Sequence, residues 1–208
     1  MSRRHAYVRQ DDQSDCGAAA LATVALHHGI PVVLQRMRDL AGTDRVGTHL
    51  LGLVRAAEGL GFSARAVKGS FEALPTVPLP AIAHVRTEEG LGHFVVLHRV
   101  GKGSVVVADP ARGVETLSRA AFCDRWTGYL LLMVPEPKAP PGRPPVSPWR
   151  GFPWRGFLGL LAIEYQDVWG TQLSRLRARG SGSQVRWGTP APASAPEIPR
   201  ASSRIHGR

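Results

Sequence analysis

Gln10-Asp-Asp-Gln-Ser-Asp-Cys-Gly-Ala-Ala-Ala-Leu-Ala-Thr-Val-Ala-Leu-His-His28 carries more fold information than any other stretch of the chain. Ser14-Asp15 offers an N-cap, and Gly29 offers a stop, so a helix is predicted from Cys16 to His28. Ala18, Ala19, Ala20, Leu21, Ala22, Val24, Ala25 and Leu26 cover almost its whole circumference. A helix that is apolar all round has to be buried, which makes this one the centre of a domain. Cys16 then stands in the first turn, in the field of backbone N–H groups that have no helical partner. That field favours thiolate over thiol.

Working outward, a second helix is expected over Val33–Leu40. A third starts from Thr48 as N-cap, with Leu50, Leu51, Val54, Ala57 and Leu60 on one face and Gly61 as its end. Beyond Gly61 the apolar period shortens. Phe62–Val67, Ala81–Val85, Phe94–Val100, Ser104–Ala108 and Tyr129–Val134 read as strands, punctuated by Pro78-Leu-Pro80, Glu88-Glu-Gly90 and Gly101-Lys-Gly103. A short helix over Ser118–Trp126 contains Cys123, which is taken as structural. Helices first and antiparallel strands afterwards define an α+β domain.

The chain has 208 residues, 43% of them apolar, enough for one domain with its own core. No apolar run reaches the roughly 18 residues of a membrane span. Phe157–Ile163 stops at Glu164, and Tyr129–Val134 stops at Pro135. Met1-Ser-Arg-Arg-His5 has the charge of an export signal, but Gln10–Asp15 stands where its apolar segment belongs. Two cysteines outside any CxxC pair are too few for a disulfide scaffold, so a reducing cytoplasm is the expected compartment.

The net charge of +10 is unevenly placed. Residues 1–138 carry 16 Lys/Arg against 13 Asp/Glu, whereas residues 139–208 carry 10 against 3 and hold 10 of the 17 prolines. The expectation is a folded domain over 1–138 and a Pro/Arg-rich, largely disordered basic tail over 139–208.

A cysteine nucleophile needs an imidazole to move protons and a third group to hold that ring. Seven of the eight histidines have ordinary explanations: chain ends, a helix C-terminus, an N-cap neighbour or positions inside strands. His93 differs because it opens an apolar strand just after Gly92, at a sheet rim from which it can face the Cys16 helix. Pairing Val100 with Ser104 would put Asp109 opposite Val95, one diagonal step from His93 on the same face. A slip of one residue would separate them. An amide side chain before Cys16 would complete an oxyanion site, and both Gln10 and Gln13 are available.

The segment Tyr7–Leu21 resembles the opening of the C39 peptidases, papain-like domains at the N-terminus of bacteriocin and peptide exporters. Gly47-Thr-His-Leu-Leu-Gly-Leu-Val-Arg-Ala-Ala-Glu-Gly-Leu-Gly61, Gly92-His-Phe-Val-Val-Leu97 and Ala108-Asp-Pro110 fit the same family in the same order. The resemblance implies a papain-like fold, with Cys16 as nucleophile, His93 and Asp109 as its partners, and Gln10, six residues before the cysteine, as the oxyanion donor in preference to Gln13. It also implies removal of a leader from a precursor peptide after a Gly-Gly type motif, next to a membrane ABC exporter and at the inner face of the membrane. No cofactor is expected, since no GxxxxGK[ST] phosphate loop occurs in the chain.

Two other readings stay open. The domain could bind a leader without cutting it and deliver the precursor to a separate exporter. The basic tail could contact phosphates, although no motif for specific nucleic-acid recognition accompanies it. Trp149-Arg-Gly-Phe152 and Trp154-Arg-Gly-Phe157 repeat at the domain's edge and suit weak contact with a membrane surface. Phe157–Val168 and the Arg175–Arg179 region beyond it read as a truncated or frame-altered start of a membrane domain.

Overall fold

Helix α1 spans Cys16–His27 and is buried from Cys16 through Ala25, as its all-round apolar sequence requires. The computed structural model describes residues 5–136, 147–154 and 157–159. Helices α2 (Leu34–Ala41) and α3 (Leu50–Gly59) pack on α1 and on each other. Gly52 permits the closest approach of the latter pair, because a Cβ there would stand 2.1 Å from the carbonyl oxygen of Ala41.

The strands are β1 (Phe62–Gly69), β2 (Ala81–Arg86), β3 (Gly92–Val100), β4 (Ser104–Asp109), β5 (Gly113–Ser118), β6 (Trp126–Pro135) and β7 (Phe157–Gly159). Among the described residues they form one sheet in the order β5-β4-β3-β2-β6-β1-β7, with every neighbouring pair antiparallel. One face packs on the three helices through residues such as Leu21, Leu53, Ile82, Val96 and Leu131. The other is covered by a 3-10 turn over Phe71–Thr76, by helix α4 (Arg119–Arg125) and by Trp149. Coverage of both faces explains why β2, β3 and β4 are runs of apolar residues and not alternating patterns.

Several local expectations are corrected. Thr48 is not the N-cap of α3. His49 holds that position, while Thr48 is buried and shares a 2.7 Å hydrogen bond with the Thr43 hydroxyl. Ahead of α1, neither Ser14 nor the Asp15 side chain caps the helix; Asp12 caps a preceding 3-10 turn over Gln13–Asp15. Strand β5 adds an element beyond those expected; it is an edge strand in which exposed and half-buried residues alternate, so it has no apolar run to signal it. Cys123 lies exposed on α4 and is not part of the core.

The folded part also extends past Lys138. The indole of Trp149 is buried, and its Nε1 donates to Ser63 Oγ at 2.8 Å. Arg65 lies 6.0 Å and 5.5 Å from the ring centroids of Trp149 and Trp154, and β7 adds to β1. The repeated Trp-Arg-Gly-Phe motif therefore supplies core aromatics, since Phe157 is buried as well. The expected proline-rich stretches and the Arg175–Arg179 region lie outside the described residues. Among the described residues no helix is long and apolar enough to cross a membrane.

Candidate active site

Cys16 is the first residue of α1 and is almost fully buried. Its neighbour Gly17 is required by packing, because a Cβ at that position would lie 2.6 Å from the Thr48 Cβ. The Cys-Gly pair and the Gly-Thr-His segment ahead of α3 are thus two sides of one contact. Before the helix, Asp12 Oδ1 accepts from Ser14 N at 2.7 Å, and Asp15 Oδ2 accepts from Asp12 N at 3.3 Å. This reciprocal cap fixes the approach to α1. Arg38, from α2, neutralises the fully buried Asp15 at 3.1 Å.

The N-terminal arm is stitched to the end of β4. Gln10 N donates to Pro110 O at 3.1 Å, and the Tyr7 hydroxyl donates to the same carbonyl at 3.2 Å. Gln10 thereby lies next to the strand end that carries Asp109. Its Oε1 is buried without a hydrogen-bond partner.

His93 Nε2 is 2.7 Å from Asp109 Oδ1, and both side chains are buried. The same Oδ1 accepts from Ala111 N at 2.9 Å. Cys16 lies near enough to interact with the same imidazole. Burial by itself would lower the His93 pKa, but hydrogen bonds to Asp109 and Cys16, with their charges, outweigh it and raise the value to about 9. Burial likewise pushes the Asp109 carboxyl up, and the hydrogen bond and charge of His93, the Ala111 N–H and Arg125 together hold it below its ordinary value.

The strand register behind this contact is not the simple one. Val100 pairs with Val105, not with Ser104, and the ladder shifts by one residue between Leu97 and Arg99. Beyond that bulge Val96 pairs with Ala108, and the same offset sets Asp109 opposite Val95. The expected facing is reached by a different route. His98, the extra residue, donates from Nε2 to Ala6 O at 2.9 Å and stacks on His5.

Two neighbours escaped the sequence reading. His84, on β2, is buried, and burial first, then the charges of Arg86 and His93, push its pKa down to about 4. Thr127 Oγ1 donates to His84 O at 2.9 Å, so it accepts from His84 Nδ1, also at 2.9 Å. That fixes the proton on Nδ1. A Cβ at Gly92 would stand 2.8 Å from His84 Nε2, so a larger residue before His93 would have to displace that ring. Arg125, at the end of α4, places Nη2 3.9 Å from Asp109 Oδ2. No local pattern announces either residue, because each reaches the site through tertiary packing.

A cysteine heading the central helix, against a histidine–aspartate pair carried on an antiparallel sheet, is the layout of papain-like folds. Within that class the chain belongs to the peptidase C39 family, whose model matches residues 4–138. It is 40% identical over 134 residues to LagD of Lactococcus lactis subsp. lactis, a lactococcin-G-processing and transport ATP-binding protein, covering 64% of this chain and 19% of that one. It is 42% identical over 143 residues to ComA of Streptococcus pneumoniae, a transport/processing ATP-binding protein, covering 67% and 20%. The chain thus spans about a fifth of the length of these relatives.

Among solved structures, the peptidase domain of Streptococcus ComA aligns with a TM-score of 0.61 at 33% identity, covering 64% of this chain and all of that one. A double glycine motif protease from an AMS/PCAT transporter, solved with its leader peptide, aligns with a TM-score of 0.58 at 29% identity, covering 65% and 96%.

Proposed function

We propose that this protein is a cysteine endopeptidase that removes the leader from a secreted peptide precursor by cutting after a Gly-Gly type motif. The observation that carries the reading is the buried chain of contacts from Cys16 through His93 to Asp109. The sulfur of Cys16 attacks the scissile carbonyl carbon, and its electron pair forms the C–S bond while the carbonyl π pair moves onto oxygen. Collapse of the tetrahedral species expels the amine, which takes the proton held by the His93 imidazolium. His93 then deprotonates a water that hydrolyses the thioester and releases the leader carboxylate and the Cys16 sulfur.

Asp109 holds the ring with Nε2 toward itself, leaving Nδ1 for the sulfur. Gln10, through its side-chain amide, and the Cys16 backbone N–H donate to the oxyanion. The proposed chemistry draws on side chains, one backbone N–H and water. The similarity to LagD and ComA, named as processing and transport proteins, supports a precursor peptide as substrate and an ABC exporter as partner, with the domain on the cytoplasmic side of the membrane.

The test is incubation of the full chain with a synthetic leader ending in Gly-Gly joined to a short cargo, followed by mass spectrometry. A single cut after the second glycine, abolished in Cys16→Ala, is expected. Equal cutting by Cys16→Ala would overturn the reading, and tight binding without any cut would favour a delivery module.

A further inference from the structure

Asp109 uses only one of its two oxygens in the contacts that orient His93. Oδ1 accepts from His93 Nε2 at 2.7 Å and from Ala111 N at 2.9 Å, whereas the partner of Oδ2 is Arg125, with Nη2 at 3.9 Å. Arg125 is itself held, since its Nε donates to Arg86 O at 3.4 Å, at the end of β2. On the far side of the sheet from α1, a small cavity of about 10 Å³, room for about one water, is lined by Asp109, Arg125, Phe122 and Glu115. Glu115 Oε1 is buried there with no hydrogen-bond partner. The guanidinium thus shares one low-polarity space with two carboxyl groups, one bound to His93 and the other unpartnered.

We propose that Arg125 is a positioning residue that acts through Asp109: it holds Oδ2 so that Oδ1 faces His93, and Glu115 competes for the same guanidinium. The inference rests on the peptidase reading, but it concerns the setting of the His93–Asp109 pair and can be read out without turnover. The other charged or titratable groups around the pair are Cys16 from α1 and His84 and Arg86 from β2. All of them stay in place in the variants below.

Arg125→Met removes the positive charge beside Asp109 Oδ2, so the carboxylate charge acts undivided on His93 and each group releases its proton at higher pH. The whole bell of kcat/KM against pH should move upward, and kcat at neutral pH should fall roughly tenfold with KM unchanged, because α4 packs on the face of the sheet away from the Cys16 helix. Arg125→Lys should restore most of both. Glu115→Gln frees the guanidinium for Asp109 and should move the bell the other way.

In parallel, NMR titration of the His93 ring in wild type and Arg125→Met gives the same displacement whether or not a peptide is cut. A His93 titration and a pH profile that do not move in Arg125→Met would overturn the proposal. So would a drop in kcat without displacement and without rescue by lysine, the mark of a merely structural role. A wild type that cuts no leader, while His93 still titrates higher in Arg125→Met, would sink the peptidase reading and leave this one standing.

Discussion

His93 Nε2 and Asp109 Oδ1 lie 2.7 Å apart although the turn joining their strands is set for the opposite facing. With Val100 paired to Val105, a regular ladder would bring Asp109 opposite residue 96 and turn it away from His93. The extra residue at His98 removes that offset. If the pair orients the base as proposed, Asp109→Ala should lower turnover by several orders of magnitude, yet leave more activity than His93→Ala or Cys16→Ala, which remove the reacting groups. Matched leader-cleavage assays on the three variants, each shown to be folded by circular dichroism, give the ranking.

Gln10 is expected to act on rate alone. Gln10→Ala should reduce kcat by roughly 10²–10³ with little change in KM, because an oxyanion donor acts on charge that develops only in the transition state. Its backbone N–H bond to Pro110 survives the substitution, so thermal unfolding should change little.

The stability of the fold should depend on pH on both sides of neutrality. His93 has a folded pKa of about 9, above its ordinary 6.5, so its contribution is complete below pH 6.5 and is lost as pH rises through 9. His84 and His98 are lowered to about 4, so the stability they confer by staying neutral is present above pH 6.5 and drains away between 6.5 and 4. Urea midpoints should therefore peak near pH 6.5 and fall on both sides of it. His93→Gln should flatten the alkaline side and His84→Gln the acid side.

Gly17→Ala should destabilise the domain by about 1–3 kcal/mol, the usual cost of overpacking. The new methyl meets Thr48 Cβ at 2.6 Å, so Thr48→Ala should not relieve it, whereas Thr48→Gly should. Denaturant unfolding of the single and double variants measures the coupling.

A chain ending at residue 138 should unfold at a lower temperature than one ending at 159. It loses the buried Trp149 and Phe157 from the second core and the hydrogen bond from Trp149 to Ser63. Trp149→Ala in the longer chain should lose about 3–5 kcal/mol by the same reasoning. Calorimetry of the three proteins decides whether this segment belongs to the folding unit.

Much of this molecule was legible locally. The apolar surface of Cys16–His27, the change of period after Gly61 and the punctuation between strands follow from interactions among residues a few positions apart, so α1 and five strands could be placed before any contact was known. The edge strand β5 gave no such signal, and the aromatic repeat near residue 150 could not reveal whether its rings faced the core or solvent.

Sequence by itself determined the kinds of element, their order, and the placing of a cysteine at the start of a buried helix. Tertiary structure decided whether an imidazole 77 positions later would meet it, and whether an aspartate would stand behind that ring. The physical reason is range. Helix and strand propensities are settled by near neighbours, but the face on which Asp109 emerges depends on a one-residue bulge whose His98 is tied to Ala6 and His5 at the far end of the chain. Arg125 reaches Asp109 only because α4 packs across the opposite side of the same sheet.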